Sequence, residues 1–129
     1  MILRLIAAFM LATASAAFAE DAPRFAQLSQ LPQDELLRRW ATARCFAKAF
    51  DKSDTSEDAN ASAGAYLEAG KVEAEAYEKL DQMVAAVLSV PATGSVKSRY
   101  DVLKCIEFSR GGELLAASQK FSKEFATKP

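Results

Sequence analysis

From residue 32 to residue 125 apolar side chains recur every three or four positions, in five stretches separated by short polar breaks. Nowhere do they alternate one by one between turn signals, so the pattern predicts helices and no sheet. Pro32 opens the first helix, with Asp34 and Glu35 in its first turn, where negative charge suits the backbone dipole. Leu36, Trp40, Ala43, Ala47 and Phe50 make its apolar stripe, and Arg38, Arg39 and Lys48 its outer face. A polar break, Asp51 to Asp58, offers Ser53 or Thr55 as the next cap. Ala59, Ala63, Tyr66 and Leu67 then mark a second helix of mainly small residues, which Gly70 is expected to end in a left-handed conformation. Val72, Ala76, Leu80, Met83, Val84, Val87 and Leu88 carry a third helix until Pro91 stops it.

After a turn-rich loop, Ser89 to Gly94, Ser95 is expected to cap a fourth helix. Tyr100, Leu103, Cys105 and Ile106 form its apolar side, and it ends near Gly111 and Gly112. The fifth runs from about Glu113 to Phe125 with Leu114, Ala117, Phe121 and Phe125 inward. The expected fold class is all-α, a small bundle of about five helices forming one domain over residues 20–129.

The first residues follow a different logic. Arg4 precedes an apolar run from Leu5 to Leu11, and small residues follow up to Ala17-Phe18-Ala19, with Glu20 and Asp21 beyond. This order is that of a secretory signal peptide, residues 1–19, with cleavage expected after Ala19. The run is too short for a permanent membrane anchor, and no second apolar stretch approaches a span. Glu20 to Gln30 is expected to be a mobile polar lead-in. Export bears on the only two cysteines, Cys45 and Cys105: an even count in an oxidising compartment reads as one disulfide. Closing a loop of 60 positions would stabilise the fold by roughly 4 kcal/mol on the loop-entropy model. The alternative is a nucleophilic thiol, which would have no histidine to deprotonate it.

Composition narrows the chemistry. The 129 residues hold 16 Lys and Arg against 17 Asp and Glu and no histidine, so there is no basic footprint for nucleic acid and no imidazole for base or metal work. Zinc, haem, phosphate-loop and nucleophile-elbow signatures are missing from the sequence, and no cofactor or metal is expected. A carboxylate-based hydrolase stays as one alternative, although Glu68, Glu73, Glu75 and Glu78 are more simply the wet face of two helices.

The near-neutral total hides an asymmetry. Asp51 to Asp81 holds nine acids against Lys52, Lys71 and Lys79, a net charge of −6, whereas Ser95 to Pro129 carries +3. Opposed patches of this kind can steer a partner of complementary charge or pair with a second copy, and the plainer reading is solvated helix faces. Trp40 reads as core, while Tyr66, Tyr77 and Tyr100 serve equally as core edges or interface anchors. The corner Ser109-Arg110-Gly111-Gly112-Glu113 reads as a helix cap and turn, or as an exposed loop able to enter a cleft.

Four segments together resemble a known family. They are Trp40-Ala41-Thr42-Ala43-Arg44-Cys45-Phe46-Ala47-Lys48-Ala49-Phe50, Tyr66-Leu67-Glu68-Ala69-Gly70, Glu75-Ala76-Tyr77 and Leu103-Lys104-Cys105-Ile106-Glu107 ahead of Glu113-Leu114. In order and spacing they are similar to the type VI secretion amidase immunity protein 4 family, over about Leu36 to Ala117. The resemblance implies a small helical periplasmic protein that acts as a homodimer and has no turnover of its own. Its partner would be a peptidoglycan amidase effector of the NlpC/P60 cysteine-peptidase kind, which cleaves the bond between D-glutamate and diaminopimelate and is inhibited by blockage of its active-site cleft. The cysteine positions match the family's, so Cys45 and Cys105 take a structural role. Effector contact is expected from Glu68, Glu73, Glu75 and Glu78 and from Arg110, Gly111, Gly112 and Glu113, although the family usually has a less glycine-rich corner. A rival reading is a small single-disulfide periplasmic chaperone that responds to acid stress.

Overall fold

The computed structural model describes residues 25–129, so the expected signal segment and its cleavage point after Ala19 lie outside the described residues. A short 3-10 turn, Phe25–Gln30, leads into five helices: α1 Gln33–Ala49, α2 Asp54–Ala69, α3 Ala74–Ser89, α4 Asp101–Arg110 and α5 Gly112–Glu124. The all-α expectation holds. The lead-in, expected to be mobile, is a formed turn over its second half, where the Leu31 amide donates to the Leu28 carbonyl at 3.0 Å.

α1 is the axis of the bundle and touches each of the other four helices. Leu36, Leu37, Trp40, Ala41, Cys45, Ala47 and Ala49 are all buried, so the hidden surface is wider than the single stripe expected from its spacing. Ala43 and Phe50 sit at its edges, half-buried. Alanines at three buried positions let neighbouring backbones come close. α2 uses that freedom: only Ser56 and Ala63 are buried, and the Ser56 hydroxyl donates to the Ala47 carbonyl of α1 at 2.8 Å. Ser53 caps α2 by accepting from the Ser56 amide at 3.2 Å, and its hydroxyl donates back to the Phe50 carbonyl.

α3 buries Ala76, Tyr77, Leu80 and Val84 against α1, and the Tyr77 ring meets Trp40 edge to face at 5.0 Å. The disulfide joins Cys45 of α1 to Cys105 of α4, Cα atoms 5.6 Å apart and both residues fully buried. α5 closes the core with Leu114. Beyond it the C-terminal tail returns to the α2–α3 connection, where the Glu73 amide donates to the Phe125 carbonyl at 2.8 Å and the Thr127 amide to the Lys71 carbonyl at 3.0 Å.

Three local expectations are corrected. Gly70 is extended (φ −74°, ψ 149°), and no described glycine has a positive φ. Its lack of a side chain matters for space instead, because a Cβ there would land on the Tyr77 hydroxyl. Ser95 does not cap α4. The loop from Val90 to Arg99 is exposed throughout, and the helix starts only after Tyr100, itself left-handed (φ 53°). The Tyr100 hydroxyl holds the loop by donating to the Val96 carbonyl at 2.8 Å and accepting from the Val96 amide at 3.1 Å. Finally, α4 turns Cys105 and Phe108 inward, while Val102, Leu103 and Ile106 are exposed. The crosslink fixes which face looks in, and Leu103 and Ile106 lie away from it.

Two glycines give opposite tests of this packing. Gly64 lies inside α2 with open space where its Cβ would be, so Gly64→Ala is expected to stabilise by about 0.5–1 kcal/mol. Gly70→Ala must displace a buried tyrosine wedged against Trp40, and is expected to cost about 1–3 kcal/mol. Urea denaturation of both variants checks the signs, and a stabilising Gly70→Ala would contradict the packing described.

Candidate functional site

A cleft of about 360 Å³ opens where α1, α2 and α3 meet. Its wall is built by one ion network. Asp81 of α3 accepts from Arg44 Nε at 3.0 Å and pairs with Lys48 Nζ at 2.7 Å, tying α3 to α1. Arg44 also donates to Asn60 Oδ1 of α2 at 2.5 Å, and its guanidinium lies 5.9 Å from the Trp40 ring centroid. One arginine therefore spans three helices. Burial alone would raise the Asp81 carboxyl, but the hydrogen bonds and charges of Arg44 and Lys48 outweigh it and hold the group below the usual carboxylate range.

The cleft's floor and rim have a different character from its wall. Gly64 contributes bare backbone, Leu67 lies beside it 46% exposed, and Glu78 stands on the rim. Glu68, Glu73 and Glu75 are exposed on the neighbouring ends of α2 and α3 and do not line the cleft itself. Their settings differ. Glu73 and Glu75 occupy the start of α3, where the helix dipole welcomes them, and Glu75 pairs with Lys79 at 3.3 Å. Glu68 sits in the last turn of α2, which has no basic residue, an unfavourable place for a negative charge by about 0.3–1 kcal/mol.

Of the nine acids between Asp51 and Asp81, only Glu75 and Asp81 have ion-pair partners among the described residues. The acidic character read from the sequence thus survives folding as a solvated surface over α2 and α3.

The corner is tighter than a loop. Gly111 alone, extended at φ −72° and ψ 147°, separates the last residue of α4 from the first of α5. Its amide donates to the Phe108 carbonyl at 3.2 Å and its carbonyl accepts from the Leu115 amide at 3.3 Å, so both helix ends are locked on one residue. Arg110, Gly112 and Glu113 project from this knuckle, exposed. The corner is the cap and turn of the two readings, not a flexible loop. Ser109 places it beside a second groove, lined by a face of α2 that the acidic cleft does not use. The structure therefore does not gather the two sets of expected contact residues into one patch.

Two exposed features escaped the sequence reading. One is the continuation to Arg99 of the loop read as Ser89 to Gly94, a stretch held by the Tyr100 hydroxyl. The other is the apolar outer face of α4, which the three-and-four spacing had assigned to the core.

The lowered Asp81 carboxyl gives a pH signature with a definite sign. The folded group binds its proton more weakly than the unfolded one, so its stabilisation is full above the unfolded value near 3.9 and is lost as pH falls through the native value. Asp81→Asn is expected to cost about 1 kcal/mol at neutral pH and to lose less stability than the parent between about pH 4 and pH 2. Urea unfolding at both ends of that range checks this. Equal acid sensitivity of parent and variant would contradict the network.

Comparison with known proteins meets this geometry from outside. Residues 35–118 match the family model described as type VI secretion system amidase immunity protein, Tai4. No curated protein matches the chain. Among solved structures it is similar to a chain of the Tae4/Tai4 effector–immunity system from Salmonella typhimurium, at 33% identity over 73% of this chain and 93% of that one, with a TM-score of 0.66. A chain of the type VI effector–immunity complex Tae4–Tai4 from Enterobacter cloacae is 31% identical over 70% of this chain and 92% of that one, with a TM-score of 0.59. A structure of type VI-secreted toxins and self-resistance proteins from Serratia marcescens shares the fold at 24% identity, covering 82% and 87%, with a TM-score of 0.69. With its single buried disulfide and, among the described residues, five helices, the chain belongs to the Tai4 family of type VI secretion system amidase immunity proteins.

Proposed function

We propose that this chain is exported to the periplasm, where it binds a peptidoglycan amidase effector of the NlpC/P60 kind and blocks its active-site cleft, protecting the cell wall. Family membership supports the partner class. The observation that carries the contact assignment is the acidic surface over α2 and α3, whose charges the fold leaves in solvent. A carboxylate such as Glu68 at an unfavourable helix end contributes nothing to folding and can serve a cationic partner. Glu68, Glu73, Glu75 and Glu78 are assigned to effector binding, with Leu67 as the apolar centre of the same patch. Arg110, Gly111, Gly112 and Glu113 form a rigid convex knuckle that meets the effector without an ordering cost.

The protein acts by occupancy and turns nothing over. It works as a homodimer in this reading, and Val102, Leu103 and Ile106 on the outer face of α4 are where the second copy packs, since three large apolar side chains on adjacent positions favour burial.

Charge reversal tests the assignment. With the amidase effector of the same secretion system, Glu68→Lys with Glu78→Lys is expected to weaken binding at least tenfold, mainly through faster dissociation and slower steered association. Raised salt should weaken the parent complex more than the variant's. Calorimetry and light scattering on the purified complex read affinity and stoichiometry together. Unchanged affinity would overturn the acidic assignment, and a complex with one copy of this chain would overturn the α4 interface.

A further inference from the structure

On the other flank of α2 from the acidic cleft, α1 and α2 enclose a groove of about 490 Å³, within the size range of small-ligand sites. The two helices form an antiparallel hairpin held in register by the Ser56 to Ala47 bond and by Arg44 on Asn60. Residues near Phe46 therefore face the start of α2, and residues near Arg39 face its end. This register gives the groove two unlike ends.

At one end stand Arg38 and Arg39. Both donate to the same carboxylate, Glu35, each at 2.7 Å, so two guanidiniums share one anion and that end stays net positive. Arg38 is also underused, because its Nε is buried without any hydrogen-bond partner. A guanidinium in that state gains hydrogen bonds when a second carboxylate draws it towards the groove. At the other end lies Asp58, exposed and with no ion-pair partner among the described residues. Between the ends the Thr42 and Ser62 hydroxyls donate to the Arg38 and Asp58 carbonyls of their own helices, which leaves their oxygens free to accept from a ligand's amides beside Ala43, Phe46 and Ala59. Such a lining suits backbone amides better than a hydrocarbon.

We propose that this groove binds a short peptide with both ends free, its carboxylate on Arg38 and Arg39 and its amine on Asp58. The dimension agrees with the charge. From Arg39 to Phe46 the helix rises about 10 Å, and three extended residues span about 10 Å. A tripeptide therefore reaches from one charged end to the other, and a longer chain would have to place its amine outside the groove. The site lies apart from the acidic part of the proposed effector surface, which uses a different face of α2, and borders the α4–α5 knuckle only through Ser109.

The test is a titration of the 20–129 chain, labelled with nitrogen-15, with trialanine, followed by proton–nitrogen correlation spectra. Trialanine is expected to give saturable shifts centred on Thr42, Phe46, Ser62 and Tyr66. Trialanine amide and N-acetyl-trialanine are each expected to bind at least tenfold more weakly to the unaltered protein. Arg39→Gln should weaken trialanine but not its amide, and Asp58→Asn should weaken trialanine but not the acetylated peptide. Because the blocked peptides need no variant, the result does not depend on any substitution folding. Absence of saturable shifts at millimolar trialanine, or equal binding of the free and blocked peptides, would overturn the proposal.

Discussion

α1 has to be dry on most of its circumference, because four other helices pack on it, yet it carries Arg38, Arg39, Arg44 and Lys48. A buried cation without a partner is not tolerated, so each of these side chains must leave the core at a seam between helices or meet a carboxylate there. Much of the remaining architecture follows from that demand. Arg44 and Lys48 emerge between α1 and α3, and Asp81 is placed to receive both. Arg38 and Arg39 emerge on the α2 side and converge on Glu35. The seams occupied by these cations are also where the acidic cleft and the α1–α2 groove open, because a charged side chain leaving the core keeps neighbouring helices from closing fully.

The disulfide answers a related problem at α4. This helix is ten residues long and buries only Cys105 and Phe108, too little apolar contact to hold it firmly. The covalent link to the centre of α1 supplies the missing attachment, with Asp101 between Arg99 and Lys104 as a polar supplement. With α4 secured through one face, its opposite face can remain apolar and outward, available to another protein copy.

The parts legible in the sequence were those governed by periodicity and by residue chemistry. Five helices, a cap at Ser53 or Thr55 that the fold resolves as Ser53, the core position of Trp40 and the Cys45–Cys105 link follow from spacing, capping rules and cysteine count. What could not be read were features set by contacts distant in sequence. Gly70 was assigned a left-handed turn because that is the usual reason for glycine after a helix, whereas its real constraint is a tyrosine seven residues on. The register of α4 depended on which side of the helix the crosslink pulled inward, a choice invisible to a three-and-four pattern that fits either face. Of the expected contact residues, all four glutamates are in solvent as read, but the corner's one-residue geometry and its separation from them emerge only from the packing.

A protein that acts by occupancy, as proposed, needs a stable shape that presents charge, and Glu68, Glu73, Glu75 and Glu78 all stand in solvent. The most direct measurement is hydrolysis of purified muropeptides by the secretion system's amidase effector, titrated with this chain. The account predicts that turnover falls in proportion to added protein and vanishes at one equivalent of binding sites. Undiminished hydrolysis in the presence of excess folded, disulfide-bonded chain would contradict it.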